Sequence, residues 1–208
     1  MMPIKGVIFD CDGVMFESRQ ANLAYYNDIL NFFGEDPVTE NDREKADLCH
    51  TAASPEVLTT LLGAHRITDA LEFAARIDYR KFIPFMVPEP GLYDVLEQLA
   101  ERVPLAVATN RGSSMPEILD HFELTHFFSA VVTSRDVKKP KPHPDMLLLA
   151  VEQLELGLGD VLFVGDSRYD HAASESAGVR FAAYKSQVKT PLRFSDHYHL
   201  MQYVLGVG

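Results

Sequence analysis

The chain has 208 residues, 47% hydrophobic and 24% charged, a balance that suits a soluble globular protein of one domain or a domain with a smaller companion. Its 30 acidic and 19 basic side chains leave a formal net charge of -11, the opposite of the basic surface that a nucleic-acid backbone requires. Two cysteines, Cys11 and Cys49, are too few for a disulfide framework and fit a reducing compartment, and no apolar run approaches the ~18 residues that would span a membrane.

Ile4, Val7, Ile8 and Phe9 form a short run rich in β-branched and aromatic residues, which predicts a buried first strand ending at Asp10. This strand begins too soon for a signal peptide, so the cytoplasm is the expected compartment. From about residue 16 to residue 85 the pattern turns helical. Leu23, Tyr26, Leu30 and Phe33 recur at three- and four-residue steps before Gly34. Ser54, Pro55 and Glu56 offer an N-cap, a first-turn proline and an early acid for a helix running to Gly63, and a further helix is expected over Asp69 to Phe82.

Pro84, Pro88, Pro90 and Gly91 read as a return linker. Beyond them helical spacings (Leu92, Val95, Leu96, Leu99; Met115 to Phe122; Leu147, Ala150, Val151, Leu154) alternate with strand-like runs at Pro104 to Thr109, Ala130 to Thr133, Val161 to Val164 and Val179 to Tyr184. That alternation predicts an α/β fold: a Rossmann-like parallel sheet with helices on both faces, interrupted after its first strand by an all-helical insertion. Residues 1–15 and 88–208 would form the core and residues 16–87 the inserted cap.

Four polar signatures stand in order along the chain: Asp10-Cys11-Asp12-Gly13-Val14, Thr109-Asn110, Lys141-Pro142-His143-Pro144-Asp145, and Gly165-Asp166-Ser167-Arg168-Tyr169-Asp170. Three follow predicted strands, and a parallel sheet gathers its strand ends at one edge, where ligands bind. Cys11 reads as a small semi-buried residue between two aspartates rather than as a nucleophile, because no histidine lies near it in sequence.

Taken together these signatures resemble the haloacid dehalogenase superfamily, and the helical insertion after the first is similar to its phosphoglycolate phosphatase-like branch. The resemblance implies a Mg²⁺-dependent phosphatase acting on a small phosphorylated metabolite through an aspartyl-phosphate. It makes Asp10 the nucleophile, Asp12 the general acid and base, and Lys141 the cation that stabilises Asp10 and the transferring phosphoryl group. Thr109, through its hydroxyl, and Asn110, through its backbone N–H, would hold phosphate oxygens. The metal would be held by the Asp10 carboxylate, the Asp12 carbonyl and Asp166. Asp170 reads equally as an acceptor for a metal-bound water or as a helix N-terminal residue.

Glu17 stands where relatives usually carry Asp, and His171 where an aliphatic residue is usual. His50, in the turn-like stretch from Cys49 to Ser54, lies where relatives place substrate-contacting cap residues, although a plain surface histidine is the simpler reading. Arg111 could face substrate or solvent. The alternative activity is a sugar-phosphate mutase resembling β-phosphoglucomutase, which would need a cation in the cap loop; residues 49–56 contain no Lys or Arg. A non-catalytic protein on the same fold would be expected to lack Asp10 or Asp12.

Overall fold

The computed structural model describes residues 3–207. In chain order the elements are β1 (Gly6–Phe9), β2 (Phe16–Glu17), α1 (Arg19–Phe32), α2 (Arg43–Thr51), α3 (Ser54–Leu62), α4 (Ile67–Ala74), β3 (Val87–Pro88), α5 (Leu92–Ala100) and β4 (Leu105–Thr109). They continue with α6 (Ser114–His121), β5 (Ala130–Thr133), α7 (Asp145–Gln153), β6 (Val161–Gly165), α8 (Arg168–Ala177), β7 (Arg180–Tyr184), β8 (Arg193–Phe194) and α9 (His197–Leu205). Six strands form one parallel sheet in the order β5-β4-β1-β6-β7-β8.

The sheet is buried on both faces, which is why its strands read as continuous apolar runs. Side chains alternate across it. Val7, Phe9, Leu105, Val107, Leu162 and Val164 enter one core with α5 and α9, while Ile8, Ala106, Ala108 and Phe163 enter a second core with α7 and α8. Helix α5 shows the energetics: Leu92, Val95, Leu96 and Leu99 are all fully buried, and each such side chain contributes roughly 1.5–3 kcal/mol of transfer free energy. Central β1 has β4 on one side and β6 on the other. The chain therefore reverses its direction of travel across the sheet at β1, and this switch point opens a crevice at the strand ends.

The helical insertion packs a third apolar cluster of its own around Tyr26, Ile29, Leu30, Val57, Leu58 and Leu62. Its two ends are not plain linkers: β2 and β3 pair antiparallel, Phe16 against Pro88 and Glu17 against Val87. The expected helix from Asp69 to Phe82 stops early. α4 ends at Ala74, and 3-10 turns follow at Tyr79–Lys81 and Ile83–Phe85. The Asp78 carboxylate accepts from the Arg80 N–H, a local cap that competes with the helical ladder, and the turns bury Tyr79, Phe82 and Ile83.

Ser54 is the first residue of α3 rather than its cap; Ala53 occupies the cap position, and the Ser54 hydroxyl pairs with the Tyr26 hydroxyl at 3.1 Å. Among the described residues no helix is long and apolar enough to cross a membrane. Nothing in the sequence pattern had indicated β8 or α9, both of which complete the far edge of the core.

Candidate active site

Asp10 follows β1, Asn110 follows β4 and Asp166 follows β6, so the three central strands deliver polar side chains to one crevice. Lys141 comes from the loop between β5 and α7. Only 2% exposed, it donates to Asp10 Oδ1 at 2.8 Å, Asp170 Oδ1 at 2.6 Å and the Ala108 carbonyl at 3.0 Å. Three acceptors for three ammonium hydrogens leave it fully satisfied. Burial works to lower its pKa, but Asp10 and Asp170 outweigh burial and hold it above the usual lysine range.

The fourth signature folds into a capping box. Ser167 Oγ accepts from the Asp170 N–H at 3.2 Å, and Asp170 Oδ2 accepts from the Ser167 N–H at 3.0 Å, which starts α8. Asp170 thus combines a helix-capping role with a buried ion pair to Lys141. Gly165 is required just before it, because a Cβ there would lie 2.5 Å from that of Asp170.

Oxygens of Asp10, Asp166 and Asp170 all lie within 4.8 Å of one another. Burial, then repulsion among these acids, raises the Asp10 carboxyl to about 7 against the pull of Lys141, and raises Asp166 well above the carboxylate range. Once ionised, three carboxylates facing one ammonium would leave an excess of two negative charges, which a divalent cation would balance. The hard, all-oxygen donor set suits Mg²⁺.

Asp12 lies in a different environment. Its Oδ1 accepts from Arg111 Nη2 at 2.6 Å, Asn22 Nδ2 at 3.0 Å and the Ser18 hydroxyl. Burial works to raise its pKa, but Arg111, His50 and the donated hydrogen bonds prevail and hold the carboxyl below its ordinary range. Arg111 is itself buried: Nη2 also donates to Asn22 Oδ1 at 2.8 Å and Nη1 donates to the Tyr79 hydroxyl. It is turned away from bulk solvent and lines a pocket beside Asp12.

His50 departs most from expectation. It sits inside α2 rather than in a turn and is buried, with Nδ1 3.2 Å from Asn22 Nδ2 and Nε2 3.9 Å from Asp166 Oδ2. The docking of α2 onto the strand ends places it there, and burial lowers its pKa. Asn110 donates from Nδ2 to the carbonyls of Thr51 at 2.9 Å and Lys141 at 3.0 Å, and the Thr109 hydroxyl oxygen accepts from the Arg111 N–H at 3.2 Å. Lys138 and Lys139 are exposed.

Ser18, Asn22 and Tyr79 were not singled out from the sequence. For Asn22 there was a signal: it occupies the stripe Asn22, Tyr26, Ile29 and Leu30 that α1 buries, and a polar residue on such a stripe needs buried partners. For Ser18 and Tyr79 local sequence held no comparable signal.

The profile of the haloacid dehalogenase-like hydrolases matches residues 7–184. The chain is 32% identical over 198 residues to a phosphoglycolate phosphatase of Escherichia coli (strain K12), covering 84% of this chain and 79% of that one. It is 30% identical over 182 residues to a phosphorylated carbohydrates phosphatase of Thermotoga maritima, covering 85% and 82%. A solved HAD-superfamily hydrolase, subfamily IA, variant 1, from Geobacter sulfurreducens is similar at a TM-score of 0.84 and 39% identity, covering 96% of this chain and 99% of that one. With the family profile running from β1 to β7 across all four signatures, the chain belongs to the haloacid dehalogenase-like hydrolases.

Proposed function

We propose that the protein is a Mg²⁺-dependent phosphatase that hydrolyses small phosphomonoesters through an aspartyl-phosphate on Asp10. The observation that carries this reading is the division of labour between two carboxylates two residues apart: Asp10 is held by Lys141 beside Asp166 and Asp170, and Asp12 by a separate network from Arg111, Asn22 and Ser18. Relatives named as phosphatases of phosphoglycolate and of phosphorylated carbohydrates support the same class of reaction.

Asp10, Asp166 and the Asp12 carbonyl would hold the metal, with Asp170 behind them; bound there, it would neutralise charge between carboxylate and phosphate. Lys141 fixes the Asp10 carboxylate and adds positive charge beside the transferring group. The Asp10 oxygen attacks phosphorus and the ester oxygen leaves, taking a proton from Asp12. Water then attacks the phosphorus of the acyl phosphate, Asp12 takes its proton, and inorganic phosphate departs as Asp10 is regenerated.

The three donors on Asp12 Oδ1 leave Oδ2 as the oxygen that carries this proton. Arg111 keeps Asp12 charged in the resting site, so the proton arrives as phosphate oxygens approach and raise its proton affinity. Thr109 and the backbone at Asn110 would receive phosphate oxygens, and residues 16–87 would act as a cap over a core of residues 1–15 and 88–208.

Rapid-quench trapping with radiolabelled aryl phosphate tests the reading. Acid-stable label on the protein is expected with Mg²⁺, none in excess EDTA, and none in Asp10→Asn. Label retained by Asp10→Asn, or full turnover in EDTA, would refute it.

A further inference from the structure

Within the acidic cluster, Asp166 is held differently from its neighbours. Asp10 and Asp170 both accept from Lys141, whereas the Asp166 carboxylate has, among the described residues, only His50 Nε2 at 3.9 Å from Oδ2, beyond hydrogen-bonding reach. Its backbone is gripped instead. The hydroxyl of Ser186, in the loop after β7, donates to the Asp166 carbonyl. The same hydroxyl oxygen accepts from the Val188 N–H at 3.1 Å, so its single proton is committed to Asp166. The Ser186 carbonyl in turn accepts from Arg193 Nη2 at 2.6 Å, which fixes the loop from its far side.

The chain turns out of β7 at the residue just before. Lys185 has φ of 45°, in the left-handed region that disfavours any residue carrying a Cβ. Such a conformation persists only where its surroundings over-determine it. Here the main chain and the side chain are both tied. The Lys185 N–H donates to the Phe194 carbonyl at 2.9 Å, and Nζ donates to Glu89 Oε2 at 2.5 Å.

Glu89 is well placed to serve as the anchor. Only 9% exposed, it accepts on the same Oε2 from the Tyr184 hydroxyl at 3.3 Å. Its backbone N–H donates to the Met15 carbonyl at 2.9 Å, and its carbonyl accepts from the Leu92 N–H at 3.1 Å as α5 begins. A hydrogen bond between charged partners, with one of them largely removed from water, is among the stronger holds a side chain can offer. Building on the phosphatase reading, we infer that Lys185 and Glu89 are positioning residues for the metal ligand Asp166: their ion pair holds the left-handed turn from which Ser186 grips the Asp166 carbonyl. All three act through Asp166.

Two substitutions at one residue isolate the turn. Lys185→Met and Lys185→Gly remove the same charge and the same ion pair, but only glycine adopts φ of 45° without cost. The readout is the Mg²⁺ dissociation constant, taken by isothermal titration calorimetry without substrate, so it does not pass through turnover. Lys185→Met and Ser186→Ala should each raise it about tenfold, the usual scale for losing a group that orients a ligand. Lys185→Gly should stay within about threefold of wild type. Loss of a positive charge by itself would tighten cation binding in both Lys185 variants.

Equal constants in Lys185→Met and Lys185→Gly, or a wild-type constant in Ser186→Ala, overturn this inference and leave the phosphatase reading standing. A wild-type protein that neither binds Mg²⁺ nor loses turnover in EDTA overturns both. Should Lys185→Met not fold, Glu89→Gln takes its place. It keeps the shape of the anchor and withdraws its charge, so the constant should rise at least about threefold, and an unchanged constant refutes the role of the pair.

Discussion

His197 bonds to Val14 across 183 positions of sequence, with Nε2 2.9 Å from the Val14 carbonyl oxygen. A carbonyl only accepts, so Nε2 carries the proton, and buried Nδ1 has no partner among the described residues. The ring is wholly buried, with its centroid 4.6 Å from that of Tyr184 and 6.3 Å from that of Phe9. One residue on, Met15 accepts from the Glu89 N–H at 2.9 Å. The two segments that carry the insertion are therefore tied together, and the outgoing one is also fastened to the C-terminal helix, just below the β2–β3 ribbon.

That burial sets a pH dependence. Desolvation lowers His197 from 6.5 to about 4 in the folded protein, so folding favours the neutral ring. The contribution is fully present above pH 6.5 and is lost as pH falls towards 4. His197→Gln keeps an amide donor but cannot titrate. Between pH 7.5 and 4.5, wild type should lose about 2–3 kcal/mol more stability than this variant, read from urea unfolding. An equal loss in both proteins would show that the ring does not titrate as the fold requires.

The acidic cluster acts in the opposite direction. Asp10, raised to about 7, and Asp166, also raised, resist ionisation in the metal-free protein, so their ionisation costs stability as pH climbs through 7. Scanning calorimetry in EDTA should show a lower Tm at pH 8 than at pH 6.5, and Asp166→Asn should flatten that difference. Millimolar Mg²⁺ should raise the wild-type Tm at pH 8 and leave Asp166→Asn nearly unmoved. A wild-type Tm indifferent to Mg²⁺ would argue against a cation at these residues.

Asp12→Ala separates acid from nucleophile. An alkyl alcohol departs only when protonated, whereas nitrophenolate departs without help, so kcat for an alkyl phosphate should fall about 10²- to 10⁴-fold and for nitrophenyl phosphate far less. Equal losses on both esters would assign Asp12 a structural role.

Gly13 has φ of 73°, in the left-handed region, and a Cβ there would collide with the Asp166 carboxylate. Gly13→Ala should cost about 1 kcal/mol of stability from the backbone alone. Its larger effect should be a displaced Asp166, seen as an increase of at least about tenfold in the Mg²⁺ concentration needed for half-maximal turnover. An unchanged Mg²⁺ requirement would mean that Asp166 can step aside without loss.

Sequence alone determined five of the six strands of the parallel sheet and the position of its polar edge. Apolar runs such as Val7 to Phe9 and Val161 to Val164 can be buried only as interior strands, and parallel pairing then sends every strand end to the same side. Asp10, Asp166 and Lys141 were legible for that reason, each beside a strand end or in a short motif of fixed spacing. Tertiary structure alone decided what surrounds Asp12. Arg111 is 99 positions from it, and His50 and Asn22, 28 positions apart, meet only because α1 and α2 dock on the strand ends in one orientation. Local periodicity carries no information about that docking angle. It therefore showed neither that His50 is buried, nor that the chain turns at Tyr79 instead of continuing α4, nor that α9 returns to hold Val14.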